Sequence, residues 1–75
     1  MQVSIVGYSS IVSRKVIPAL MRFRDIKKIN IFTRRSKFLS EQFNNDTMLN
    51  FLDINELLNF SRSNNSIFYY ISTEN

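Results

Sequence analysis

The feature that most constrains this chain is a regular alternation of short apolar runs with stretches of helical periodicity. Val3-Ser4-Ile5-Val6 is the first run, and it stops at Gly7, the only glycine in 75 residues. A run this short and β-branched reads as a strand buried on both faces, the kind that parallel sheets use. Ser9 and Ser10 then offer N-cap chemistry, and Val12, Val16, Leu20 and Phe23 follow at helical spacing, with Ile17 and Met21 beside them. Pro18 falls inside that pattern, removes a backbone donor and predicts a kink near the middle of the helix. Ile29 to Thr33 forms a second strand. Ser36 can cap a short helix carrying Phe38, Leu39, Gln42 and Phe43, and Asn44-Asn45-Asp46 is a turn cluster. Met48 to Leu52 gives a brief third strand, expected at an edge. Asp53 followed by Glu56 resembles a capping box, with Ile54, Leu57 and Leu58 as the apolar stripe behind it. Ser63-Asn64-Asn65 breaks that helix, and Ser66 to Ser72 makes a fourth strand, the most apolar of all.

Strand and helix therefore alternate along the whole chain with short connections. That pattern implies an α/β fold built from right-handed βαβ units, with a four-stranded parallel sheet in the expected order 3-2-1-4. The length allows one small domain, which buries only about 60–65% of its unfolded surface. In such sheets ligands bind outside the carboxyl ends of the strands, where the strand order reverses. Here the reversal falls between the first and fourth strands.

Composition removes several chemistries. The chain has neither cysteine nor histidine. A disulfide framework, a thiolate metal site and a Ser-His-Asp triad are thereby excluded, and the usual imidazole base is missing. No catalytic or metal-ligating constellation is expected. Asp53 and Glu56 are better explained as a helix cap than as a catalytic pair, and Tyr8 as a packing residue.

Charge is unevenly placed. Residues 1–37 hold nine basic side chains and one acid, Asp25, for +8; residues 38–75 hold one basic side chain and five acids, for −4. A basic half suits a phosphate or polyanion partner, and equally suits a solvated rim with no partner. The uncharged opening, residues 1–13, contains Gln2, Ser4, Ser9 and Ser10 and has no positive segment before it, so it does not read as a signal peptide. Residues 63–73 are too few to span a bilayer. A cytoplasmic protein with no membrane partner is the expectation.

The first strand ends in Gly7-Tyr8-Ser9-Ser10-Ile11-Val12, to be compared with the dinucleotide fingerprint of glycines at positions one, three and six. Gly7 can supply the tight turn. Ser9 is small enough to let the backbone approach a pyrophosphate, while Val12 is bulky where helix and strand pack. Free N–H groups at the helix start would face the phosphate, with Arg14 either nearby or simply on the surface; a turn glycine and a serine cap with no ligand account equally for these residues. The second strand ends in Thr33-Arg34-Arg35, where an NAD-preferring site places an acid for the ribose diol. A hydroxyl with a guanidinium would instead hold a 2′-phosphate through charge-assisted hydrogen bonds, favouring NADP over NAD, the alternative being a solvated basic strand end with no ligand.

Residues 3–20, V-S-I-V-G-Y-S-S-I-V-S-R-K-V-I-P-A-L, resemble the opening of the Gfo/Idh/MocA oxidoreductases. Gly7, Ser9, Ser10-Ile11, Arg14 and Pro18-Ala19-Leu20 match that opening in order. Residues 70–75, Y-I-S-T-E-N, resemble the family's Y-I-S-T-P-N, with Glu74 in place of proline. The resemblance implies a partial Rossmann-like fold that binds NADP or NAD. Its cofactor residues would be Gly7, Ser9, Ser10, Ile11, Thr33, Arg34 and Arg35, with Thr73 and Asn75 on the nicotinamide side. It also implies hydride exchange with a sugar or sugar-like alcohol in an intact enzyme. Family members are several times longer and carry an E-K-P motif and a substrate domain beyond this point. The chain is accordingly expected to be a truncated dinucleotide-binding domain, without turnover of its own.

Two other readings stay open. Arg22, Arg24, Lys27 and Lys28 lie at the opposite sheet edge from Gly7 and would suit a small nucleic-acid-binding module, although no recognised motif accompanies them. Alternatively, the apolar fourth strand leaves an edge through which a non-binding element would self-associate.

Overall fold

The computed structural model describes the backbone of residues 1–63 and 67–70, with side-chain surroundings given through residue 60. Strand β1 spans Gln2–Val6, β2 spans Lys28–Thr33 and β3 spans Leu49–Asp53. These three run parallel: Val3 pairs with Ile29 and Ile29 with Leu49, and the register continues to Val6 with Phe32 and Phe32 with Leu52. The backbone of β4, Ile67–Tyr70, runs parallel to β1 on its other side, giving the order β3-β2-β1-β4. A mixed α/β architecture around a parallel sheet is what the alternation implies. The helix breaker expected at Ser63-Asn64-Asn65 starts at the last residue of the third helix, and its residues 64 and 65, like the outer residues of the fourth run, 66, 71 and 72, lie outside the described residues.

Between β1 and β2 the chain is helical through residues 10–20. Val12–Val16 is wound as a π-helix that passes into α1, Ile17–Leu20. The irregularity expected at Pro18 takes this form. The Ile17 N–H bonds to the Val12 carbonyl, five residues back, one residue before the proline that has no N–H to give. Widening the turn moves the carbonyl four residues before Pro18 away from its ring, which a regular α-turn would press against it. Phe23, read from periodicity as the next core position, instead sits beyond the helix in a turn and is 62% exposed. The helical run simply ends first, with Arg22 and Phe23 donating to Ala19 and Leu20 in closing turns.

Helix α2, Ser36–Gln42, follows β2, and a 3-10 turn, Ile54–Glu56, leads from β3 into α3, Leu57–Ser63. Ser36 does not cap α2: Arg35 holds the N-cap position without a side-chain cap bond, and Ser36 is the first helical residue. Asp53 does cap, its Oδ1 accepting from the Asn55 N–H at 2.8 Å. The Asn44-Asn45-Asp46 turn is held by Asp46, whose Oδ1 accepts from the N–H groups of Met48 and Leu49. Further periodicity assignments fail: Met21, just past α1, is exposed, and so are Phe38 of α2 and Leu58 of α3. Both helices are only seven residues long, so a single buried position per turn suffices, Leu39 in the case of α2.

Strand geometry sends alternate side chains to opposite faces of the sheet. Val3, Ile5, Ile29, Ile31 and Phe51 share one face and pack against Val12 and Ile17 from the first helical run and Leu39 from α2. Phe43 stacks on Phe51 at 5.5 Å between centroids. On the other face Phe32 is fully buried and meets the edge of Phe60 of α3 at 5.2 Å. The helical run after β1 and helix α2 thus pack on one face, and Phe60 of α3 meets the other.

This second face also carries polar residues. Ser4, Asn30 and Asn50 occupy one row across β1, β2 and β3. Asn50 Nδ2 donates to Asn30 Oδ1 at 3.0 Å, and Asn30 Nδ2 donates to Gln2 Oε1 at 2.9 Å. Asn30 is fully buried, so both ends of its amide need a partner, and the ladder supplies them. The Ser4 hydroxyl, equally buried, has no partner in the described structure.

Candidate functional site

The C-terminal ends of β1 and β2 bring two loops together. In the first, Gly7 has φ of 98°, the one positive φ among the described residues. It is buried, and its N–H donates to the Phe32 carbonyl at 2.8 Å, so the turn closes directly onto β2. A side chain there would carry a Cβ into the left-handed region and into the packed interior. Ser9 is buried behind this turn, its Oγ accepting from the Val12 N–H at 3.4 Å in the manner of an N-cap. Ser10 is exposed, and its carbonyl accepts from the Ser13 hydroxyl at 3.2 Å. Ile11 stands out at 64% exposure. Val12 is fully buried in the core, so its bulk is accommodated within the helix–sheet contact.

The second loop begins at Thr33. Its side chain is fully enclosed and its Oγ1 accepts from the Arg35 N–H at 3.2 Å, shaping the turn from below. Arg34 and Arg35 are both exposed. Arg35 reaches across to the first loop: its Nη2 donates to the Tyr8 carbonyl at 2.5 Å, and its guanidinium lies 5.5 Å above the Tyr8 ring centre. Tyr8 in turn sets its ring edge-on to Phe51 at 5.6 Å. The tyrosine therefore packs as expected, and Arg35 ties the two loops into one surface.

Beside this bridge Arg34, Arg35, Lys37, Phe38 and Glu41 line a cleft of about 420 Å³. Three cations face one carboxylate, so the cleft attracts anions. Lys37, Phe38 and Glu41 were not singled out from the sequence as site residues. The signal was present, since Arg34, Arg35 and Lys37 fall within four residues and an aromatic follows at once. Helical periodicity assigned that aromatic to the core instead.

Seven of the nine expected cofactor residues thus fall in these two loops and the helix start that follows the first. Ser9 and Thr33 are buried there, and Ser10, Ile11, Arg34 and Arg35 are exposed. Thr73 and Asn75 lie outside the described residues. Arg14 is exposed on the π-helical segment. Among the described residues no three carboxylates gather where a metal ion could sit. Comparison with protein-family models, curated proteins and solved structures finds no match to this chain.

Proposed function

We propose that this chain binds NADP, or less tightly NAD, as the nucleotide-binding unit of an oxidoreductase acting on a sugar or sugar-like alcohol. The observation that carries the reading is the Arg35 bridge. It joins a glycine turn that a Cβ would fill to a cationic cleft at the end of the neighbouring parallel strand. The β3-β2-β1-β4 order and the division of helices between the two faces support a partial Rossmann-like reading.

In this reading the pyrophosphate lies against the Gly7–Ser10 turn, where the helical run begins and backbone N–H groups are unpaired within the helix. Arg34 and Lys37 hold the 2′-phosphate in the cleft, as charge-assisted donors to a doubly charged group. Thr33 acts one step removed, fixing the Arg35 backbone so that the guanidinium crosses to Tyr8. The bound nicotinamide supplies the hydride acceptor or donor. The chain's own residues bind and orient, and none of those described is assigned a proton-transfer role.

Titration of the full chain with NADP and NAD tests this directly. NADP should bind more tightly, and Arg34→Ala should weaken it about tenfold, the loss expected for one charge-assisted hydrogen bond. NAD affinity should change little. A folded chain that binds neither dinucleotide overturns the reading.

A further inference from the structure

The opposite edge of the sheet, where the strands begin, carries a second surface. Met1 is 56% exposed, Met21 39% and Phe23 62%, three large apolar side chains at one end of the molecule. Between and beside them Arg22, Arg24, Lys27 and Lys28 are all exposed, with Asp25 as the one acid. Residues 21–28 therefore carry four positive charges and one negative, a net +3. Phe23 also lines a mainly apolar cavity of about 260 Å³, together with Met1, Val3, Leu20, Arg24, Asp25 and Ile26.

We propose that this edge docks on an anionic lipid surface, with Phe23, Met21 and Met1 entering the headgroup layer and the four cations meeting lipid phosphates and carboxylates. Charge complementarity and apolar exposure coincide here, which is the composition of interfacial membrane anchors. The backbone is also suited to it. Met21, Arg22, Phe23 and Ile26 donate to carbonyls within the same turns. The Met1 ammonium group donates to the Asp25 carbonyl at 2.9 Å, and the Lys27 N–H to the Met1 carbonyl at 2.9 Å. The N–H groups of Met21, Arg22, Phe23, Ile26 and Lys27 are thus already bonded and lose little on leaving water, whereas free ones would oppose insertion. A nucleic acid would use the same cations but gives no role to exposed Met1, Met21 and Phe23 around an apolar cavity. No helix among the described residues is long and apolar enough to cross a membrane, and docking on the surface requires none.

Co-sedimentation of the full chain with vesicles tests the proposal. Partition onto phosphatidylcholine mixed with phosphatidylserine should exceed that onto phosphatidylcholine alone by more than about tenfold. Phe23→Ser should lower it about tenfold, and Arg24→Gln about fivefold with a weaker dependence on salt. Phe23 is largely exposed, so an unchanged circular-dichroism melt should accompany both variants. Equal partition onto both vesicle types overturns the proposal. So does binding to duplex DNA that ignores Phe23→Ser, or a dimer that this variant dissociates, where no vesicle binding is seen. Dinucleotide titration of the same variants reads the other edge separately, so either reading can fail alone.

Discussion

Gly7 shows how much one residue can decide. Its φ of 98° lets β1 turn sharply enough for its N–H to reach the Phe32 carbonyl, and burial leaves no room for a larger side chain. Gly7→Ala should therefore destabilise the fold by about 1–3 kcal/mol in urea unfolding, combining the left-handed penalty with overpacking. It should also weaken dinucleotide binding more than stability alone explains. An unchanged midpoint would mean that the turn can relax. This position was legible in the sequence, because a lone glycine after a buried strand has few other uses. Thr33 was less so. Its hydroxyl was expected to face a ligand, whereas its placement at the end of β2 encloses it and turns it toward the Arg35 backbone. Nothing in a Thr-Arg-Arg string distinguishes an outward hydroxyl from an inward one, since that depends on the face to which the strand's last residue points.

At the scale of elements, strands were easier to place than helices. Apolar runs between breakers located β1, β2 and β3 to within a residue, and β1 and β2 are buried on both faces through most of their length. Helical periodicity was less dependable because the helices are short. Phe23, Phe38 and Leu58 continued an apolar stripe on paper but lie past or beside the narrow strip that each helix buries. Pro18 signalled an irregularity without revealing its kind, and the π-helical segment is one of several ways to spare its missing donor. The amide ladder was invisible beforehand, because Gln2, Asn30 and Asn50 become neighbours only when three strands align. Asn30→Ala leaves two carboxamides without their bonds and opens a small cavity. It should cost about 2–4 kcal/mol, read from chemical unfolding. A cost below about 1 kcal/mol would show that water replaces the ladder.

For the whole molecule, the relevant quantities are charge and open edges. Among the described residues β4 stands last in the strand order, with a paired neighbour only on the β1 side. An unpaired strand edge invites another chain. Sedimentation velocity should accordingly show association that grows with concentration, and a single monomer boundary throughout would count against it. Seven of the nine basic residues of the +8 half fall into two separate groups, with Arg14 and Lys15 apart from both on the π-helical segment. Arg34, Arg35 and Lys37 belong to the cleft at the strand ends, and Arg22, Arg24, Lys27 and Lys28 to the edge where strands begin. Their separation follows from the strands running the same way: all beginnings share one rim and all endings the other. Five strand residues set the distance between the rims at about 16 Å. A molecule lying on a flat charged support by its lower rim would hold the Gly7 turn upright, at that height and open to solution, so the two surfaces can be occupied together without competing for space.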